Sequence, residues 1–209
     1  MQPFDILTGP AAPLMLENVD TDVIIRIERL TAADQSRLGD YALEALRFRA
    51  DGSEDPDFVL NQAPFRHAPI LIAGRNFGCG SSREGAVVAL LGRGIRSIIA
   101  PSFGDIFYGN CIQNGVLPVR VDPAAIEILG RETREPGASV TVNLVRQVVV
   151  SPGGTEISFD MDPQQRTSLL TGLDEIGQTM QQIDLVDAWQ QKDRTARPWV
   201  WNDMSTLAS

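Results

Sequence analysis

The feature that most constrains the fold is an alternation of short apolar runs and helical patterns between residues 69 and 133. Pro69–Ala73 reads as a strand of the buried type, and Ser97–Ala100 and Val116–Val119 as further strands. Between and after them, residues from about Ser82 to Leu91, Phe103–Gln113 and Pro123–Thr133 carry helical patterns, and Pro123 suits a first turn. Strand, helix, strand, helix in this rhythm predicts an α/β core with parallel pairing. Before it, Leu14–Leu16 and Val23–Ile27 read as strands around the acidic turn 17–22, and Thr31–Arg49 as a helical patch. After it, Ser139–Leu144 and Gln147–Val150 suggest a hairpin turning into Glu156–Phe159, and Asp162–Gln191 reads as helical. Without a repeat or a linker, the 209 residues are expected to form a single domain with a helical C-terminal extension over about 162–209.

Composition narrows the chemistry. With 18 Lys and Arg against 27 Asp and Glu, the formal charge is −9, the wrong sign for gripping phosphate backbones, so no nucleic-acid partner is expected. Aromatic residues at 6% are too few for a base-stacking platform. Two cysteines and one histidine fall short of a structural zinc or iron–sulfur ligand set, so no metal is expected on this chain. Neither a signal-peptide pattern nor a membrane-length apolar run is visible, and free thiols fit a reducing compartment, which makes the cytoplasm the expected location.

The most informative stretch is Gly74-Arg75-Asn76-Phe77-Gly78-Cys79-Gly80-Ser81-Ser82-Arg83-Glu84. It follows a strand and opens a helix, so its backbone N–H groups converge where an anion is favoured. Gly78 and Gly80 permit close approach to the main chain, Ser81 and Ser82 offer hydroxyls, and Arg83 can hold a carboxylate with two parallel hydrogen bonds. Ser81-x-x-Glu84 also fits a plain capping box. Neither a dinucleotide fingerprint, a Walker loop nor a nucleophile elbow fits these residues. Asp20-Thr21-Asp22 reads first as a local turn. Ser102 suits a helix cap, Cys111 an apolar helix face, and the lone His67 surface structure. Trp199 and Trp201, beside Pro198, suit a pinned terminus.

Asn76–Glu84 (NFGCGSSRE), Asn18–Ile25 (NVDTDVII) and Ala100–Pro118 (APSFGDIFYGNCIQNGVLP), with Asp57–Gln62 (DFVLNQ), resemble the small subunits of 3-isopropylmalate dehydratase, over about residues 15–120. The resemblance implies the swivelling β/α domain of the aconitase superfamily: a partly parallel sheet with flanking helices. It implies a hydro-lyase of leucine biosynthesis that isomerises 2- and 3-isopropylmalate. A large subunit would carry a 4Fe–4S cluster, with one iron open to a 2-hydroxy diacid substrate. By the same resemblance Ser81 is the base, Ser82, Arg83 and Gly80 hold substrate, and Asp22 orients a histidine of the large subunit. Two positions depart from the family pattern. Gly85 stands where histidine is usual, and Arg26 stands where proline is usual at the start of a substrate-reading loop. They leave open another alkylmalate, such as a methylmalate, or an anion-binding module without turnover. An autonomous hydrolase would need His67 beside residues 79–81.

Overall fold

The computed structural model describes residues 1–32, 34–80 and 83–201. The chain divides into two compact units, residues 1–172 and 173–209. The first holds eight strands among the described residues: β1 (Ile6–Gly9), β2 (Ala11–Leu14), β3 (Ile70–Ala73), β4 (Ser97–Ala100), β5 (Leu117–Arg120), β6 (Val140–Asn143), β7 (Val148–Val150) and β8 (Glu156–Ser158). Its helices are α1 (Thr21–Ile24), α2 (Ile27–Ala32), α3 (Leu38–Tyr41), α4 (Glu44–Arg47), α5 (Glu84–Gly92), α6 (Asp105–Asn114), α7 (Pro123–Glu132) and α8 (Pro163–Thr171). The second unit contains α9 (Glu175–Met180) and α10 (Ile183–Ala196).

Four strands form a wholly parallel sheet in the order β2-β3-β4-β5, with Ala11 opposite Ile70, Ile70 opposite Ser97 and Ser97 opposite Leu117. Their side chains alternate between two cores, as the pleat requires. Leu71, Ala73, Ile98 and Ala100 pack with Phe77, Ala86, Val87, Leu90 and Phe107 on the side of α1, α5 and α6. Ile70, Ile72 and Ile99 pack on the other side with Ile126 and Leu129 of α7 and with Val140, Val142 and Val149 of a second sheet. Burial on both faces explains why these strands are apolar almost throughout, the exceptions being Ser97, whose hydroxyl donates to Leu117 O at 3.0 Å, and Arg120, exposed at the end of β5. The expected α/β core with a parallel sheet is therefore what forms.

The second sheet is antiparallel, in the order β1-β6-β7-β8, and contains the expected 139–150 hairpin. β1 was not foreseen from the sequence. Only Pro10 separates it from β2, yet the two strands lie in different sheets. Proline has no N–H for a ladder, and the chain turns across here.

Four expectations need correction. The strand expected at Leu14–Leu16 lies earlier, at Ala11–Leu14, and ends where the expected one began. Val23–Ile27 is not a strand. Asp20 Oδ1 accepts from Val23 N at 2.8 Å and caps α1, so local capping outweighs the β-branched run. The 31–49 patch is not one helix but the end of α2, a 3₁₀ turn at Gln35–Arg37, α3 and α4. Leu43 breaks the run with φ +56. The 162–191 region is broken at Gly172, φ +70, which ends α8, and again between α9 and α10. Among the described residues no helix is long and apolar enough to cross a membrane.

In the second unit Asp193 is the buried polar group. It accepts from Arg197 Nε at 2.7 Å and from Trp201 Nε1 at 2.8 Å, while Trp199 is exposed.

Candidate active site

Beyond the carboxyl ends of β2, β3 and β4 the chain continues as three neighbouring segments, residues 16–22, 74–80 and 102–104. Main-chain hydrogen bonds tie them together. Gly74 N donates to Leu16 O at 3.1 Å, Asn18 N to Arg75 O at 2.8 Å, Gly78 N to Val19 O at 2.7 Å and Thr21 N to Cys79 O at 3.1 Å. On the other side Phe77 N donates to Ser102 O at 3.1 Å and Gly104 N to Phe77 O at 3.0 Å. Phe77 is fully buried and anchors the middle segment edge-on against Phe107, with ring centroids 5.6 Å apart. Gly78 has φ +70, and a Cβ there would stand 2.2 Å from the Phe107 ring, so this turn admits glycine alone.

The tips of these segments carry the expected site residues. Gly80, φ +86, lies against Asp20, where an added Cβ would come within 3.3 Å of the Asp20 Cβ. Arg83, directly before α5, forms an ion pair through Nη1 with Oδ1 of Asp22 at the start of α1. The Arg83 side chain is 18% exposed and that of Asp22 57%. Sequence-distant positions are thus joined into one charged pair at the sheet's carboxyl edge. Ser81 and Ser82 lie outside the described residues.

Two depressions flank this corner. One of about 220 Å³ is lined by Gly78, Gly80, Gly104, Asp105, Ile106 and Phe107. The other, of about 370 Å³, includes Asp20, Asp22, Val23, Arg26, Ile27 and Glu28 in its lining. Arg26 approaches Glu44 only to 3.9 Å, because that carboxylate already holds Arg29 Nε through both oxygens, at 3.0 and 3.1 Å. The pairing with Glu44 raises the Arg29 pKa further. At Gly85, α2 closes in: a Cβ would stand 2.3 Å from Leu30 Cδ2. The missing side chain leaves room for Leu30, not for a ligand.

Other expectations resolve differently. Glu84 is the first residue of α5 and Arg83 its N-cap, while the Ser81 half of the expected capping box lies outside the described residues. Ser102 does not cap α6, whose N-cap is Gly104. Its Oγ instead accepts from Asn76 N at 2.9 Å. His67 is exposed just before β3, at the opposite end of the sheet from residues 79–80, so it cannot serve a hydrolase there. Cys111 is fully buried, and burial raises its thiol pKa well above the usual value. Among the described residues no group of three or more His, Cys, Asp or Glu side chains could hold a metal ion. The sequence reading gave Asn18 no role. Asn76 Nδ2 donates to its Oδ1 at 2.9 Å.

Comparison with known proteins supplies the context for this corner. The aconitase C-terminal domain family matches residues 1–124, and the LeuD_N family matches residues 129–163. The 3-isopropylmalate dehydratase small subunit of Gluconacetobacter diazotrophicus is 50% identical over 200 residues, 95% of this chain and 97% of that protein. Its counterpart from Paramagnetospirillum magneticum is 47% identical over 201 residues, 96% of this chain and 100% of that protein. The crystal structure of 3-isopropylmalate dehydratase (leuD) from Methanocaldococcus jannaschii superposes with a TM-score of 0.63 at 26% identity, covering 88% of this chain and 99% of that one.

Proposed function

The chain belongs to the 3-isopropylmalate dehydratase small-subunit family, and on that premise we propose that its carboxyl-edge corner is half of a hydro-lyase pocket completed by a large subunit. The reaction isomerises 2-isopropylmalate and 3-isopropylmalate by loss and re-addition of water, a step of leucine biosynthesis. The whole chain acts as the swivelling domain, in the cytoplasm, with residues from about 162 as its helical extension.

The observation that carries the reading is the Arg83–Asp22 pair at the mouth of three parallel strand extensions. Arg83 suits a substrate carboxylate because its planar fork makes two parallel, charge-assisted hydrogen bonds. A substrate carboxylate takes the place beside Arg83 that Asp22 fills here, freeing Asp22 to orient a histidine of the large subunit. Ser82 and the Gly80 N–H complete the carboxylate site. Ser81, as its alkoxide, accepts the proton from the carbon next to the one bearing the hydroxyl. Its negative charge is favoured by the start of α5 and by Arg83. The hydroxyl takes a proton from the large-subunit histidine that Asp22 orients and leaves as water, and reversing the two steps with carbons exchanged gives the isomer and returns both protons.

This chain's own donors do not fit an iron–sulfur cluster, since Cys111 is sealed in the core and Cys79 lacks companions. The 4Fe–4S cluster would therefore sit in the large subunit, where it would supply Lewis acidity toward the substrate hydroxyl.

The test is anaerobic reconstitution with a family large subunit, following the unsaturated diacid formed on dehydration, with methylmalate as a second substrate. Isopropylmalate turnover is expected. Arg83→Lys should lower kcat/KM by roughly ten- to hundredfold through loss of the two-pronged grip. Ser81→Ala should abolish measurable turnover. Normal rates in Ser81→Ala would remove Ser81 from this role, and an inert wild-type complex would sink the reading.

A further inference from the structure

We propose that Asn18 and Asn76 form a latch that sets the register between the segment carrying Asp22 and the segment carrying Arg83, making both asparagines positioning residues for the reaction. The inference rests on the reading of that corner as a hydro-lyase site.

Both residues adopt left-handed backbone, φ +54 at Asn18 and +60 at Asn76, a region in which asparagine is among the few tolerated side chains. Each turns its own segment just after β2 or β3, and the two side chains meet, Asn76 Nδ2 donating to Asn18 Oδ1 at 2.9 Å. Asn76 also binds the third segment, its backbone N donating to Ser102 Oγ at 2.9 Å. One residue thus couples all three tips. The latch lies directly ahead of the main-chain bonds Gly78 N to Val19 O and Thr21 N to Cys79 O. A slip of one residue between adjacent extended segments reverses which way every side chain points. Such a slip would part Asp22 from Arg83. Neither asparagine reaches that ion pair, so their effect on chemistry runs through the tips.

Glycine keeps the left-handed backbone while deleting the side-chain bond, which separates the latch from the turn. Asn18→Asp keeps the acceptor and tolerates the same backbone. In the reconstituted complex, Asn18→Gly and Asn76→Gly should each lose about tenfold in kcat/KM, with a raised KM contributing, whereas Asn18→Asp should stay within about twofold. The double glycine variant should lose no more than either single one, because one bond is removed in all three. A mere fall in folded fraction would lower apparent kcat and leave KM unchanged. In the full chain alone, hydrogen exchange at Thr21 and Gly78 should quicken by about tenfold in the glycine variants. Glycine variants matching wild type in both rate and exchange would overturn the latch, as would Asn18→Asp failing like Asn18→Gly. If the wild-type complex turns over no alkylmalate, the functional reading fails, and the exchange rates still decide whether the latch exists.

Discussion

Gly85 shows how one absent methyl group governs the approach of two helices. Leu30 occupies the space a side chain would need, so α2 seats directly on the first turn of α5. Gly85→Ala gains up to about 1 kcal/mol of helix propensity but forces Leu30 aside, an overpacking cost of about 1–3 kcal/mol. The expected result is a lower denaturation midpoint, with Gly85→Ala less harmful in a Leu30→Ala background. Strict additivity in that cycle would show that the two positions do not touch. At this scale the sequence was partly legible. Gly80 and Arg83 stood out because loop glycines and a guanidinium before a helix imply an anion. Leu30 as the partner of Gly85, and Asn18 as the partner of Asn76, did not. Such contacts depend on which segments the sheet brings side by side, and no local pattern encodes that.

Among elements, the three later strands of the parallel sheet were easy to place, whereas its first strand and the first helix were not. Burial on both faces leaves an unbroken apolar signature in Ile70–Ala73 and Ile98–Ala100. Val23-Ile24-Ile25 carries the same signature, but one Asp20 side chain bonded to Val23 N turns it into α1. The end of α10 gives a pH-dependent case. Hydrogen bonds from Trp201 and then Arg197 hold Asp193 below the ordinary carboxylate value of 3.8. A lowered folded value means that the contact's stabilisation is fully present above 3.8 and is lost as pH falls through the lower folded value. Tryptophan fluorescence should therefore change on acidification below the usual carboxylate range, and Asp193→Asn should remove that component. An identical acid transition in the variant would assign it to another group.

For the molecule as a whole, the division of the core decides what can be removed. Every buried apolar side chain among the described residues falls within residues 1–172. In the second unit Ile176, Leu185, Trp189 and Trp199 are all more than half exposed, so that unit holds little hydrophobic core of its own. A chain ending at Gly172 should fold with a melting temperature within a few degrees of full length, ~4 °C at most for a loss of this size. A fall of tens of degrees would place part of the core's stability in residues 173–209.

The order β2-β3-β4-β5 has one further consequence. A small-molecule crevice in a parallel sheet forms where neighbouring connections part in opposite directions. This sheet winds one way throughout, so its strands never fork, and the Arg83–Asp22 pair stands on the outer lip of the edge. Such an edge is a single jaw: it closes on a molecule only when an opposing surface comes to meet it.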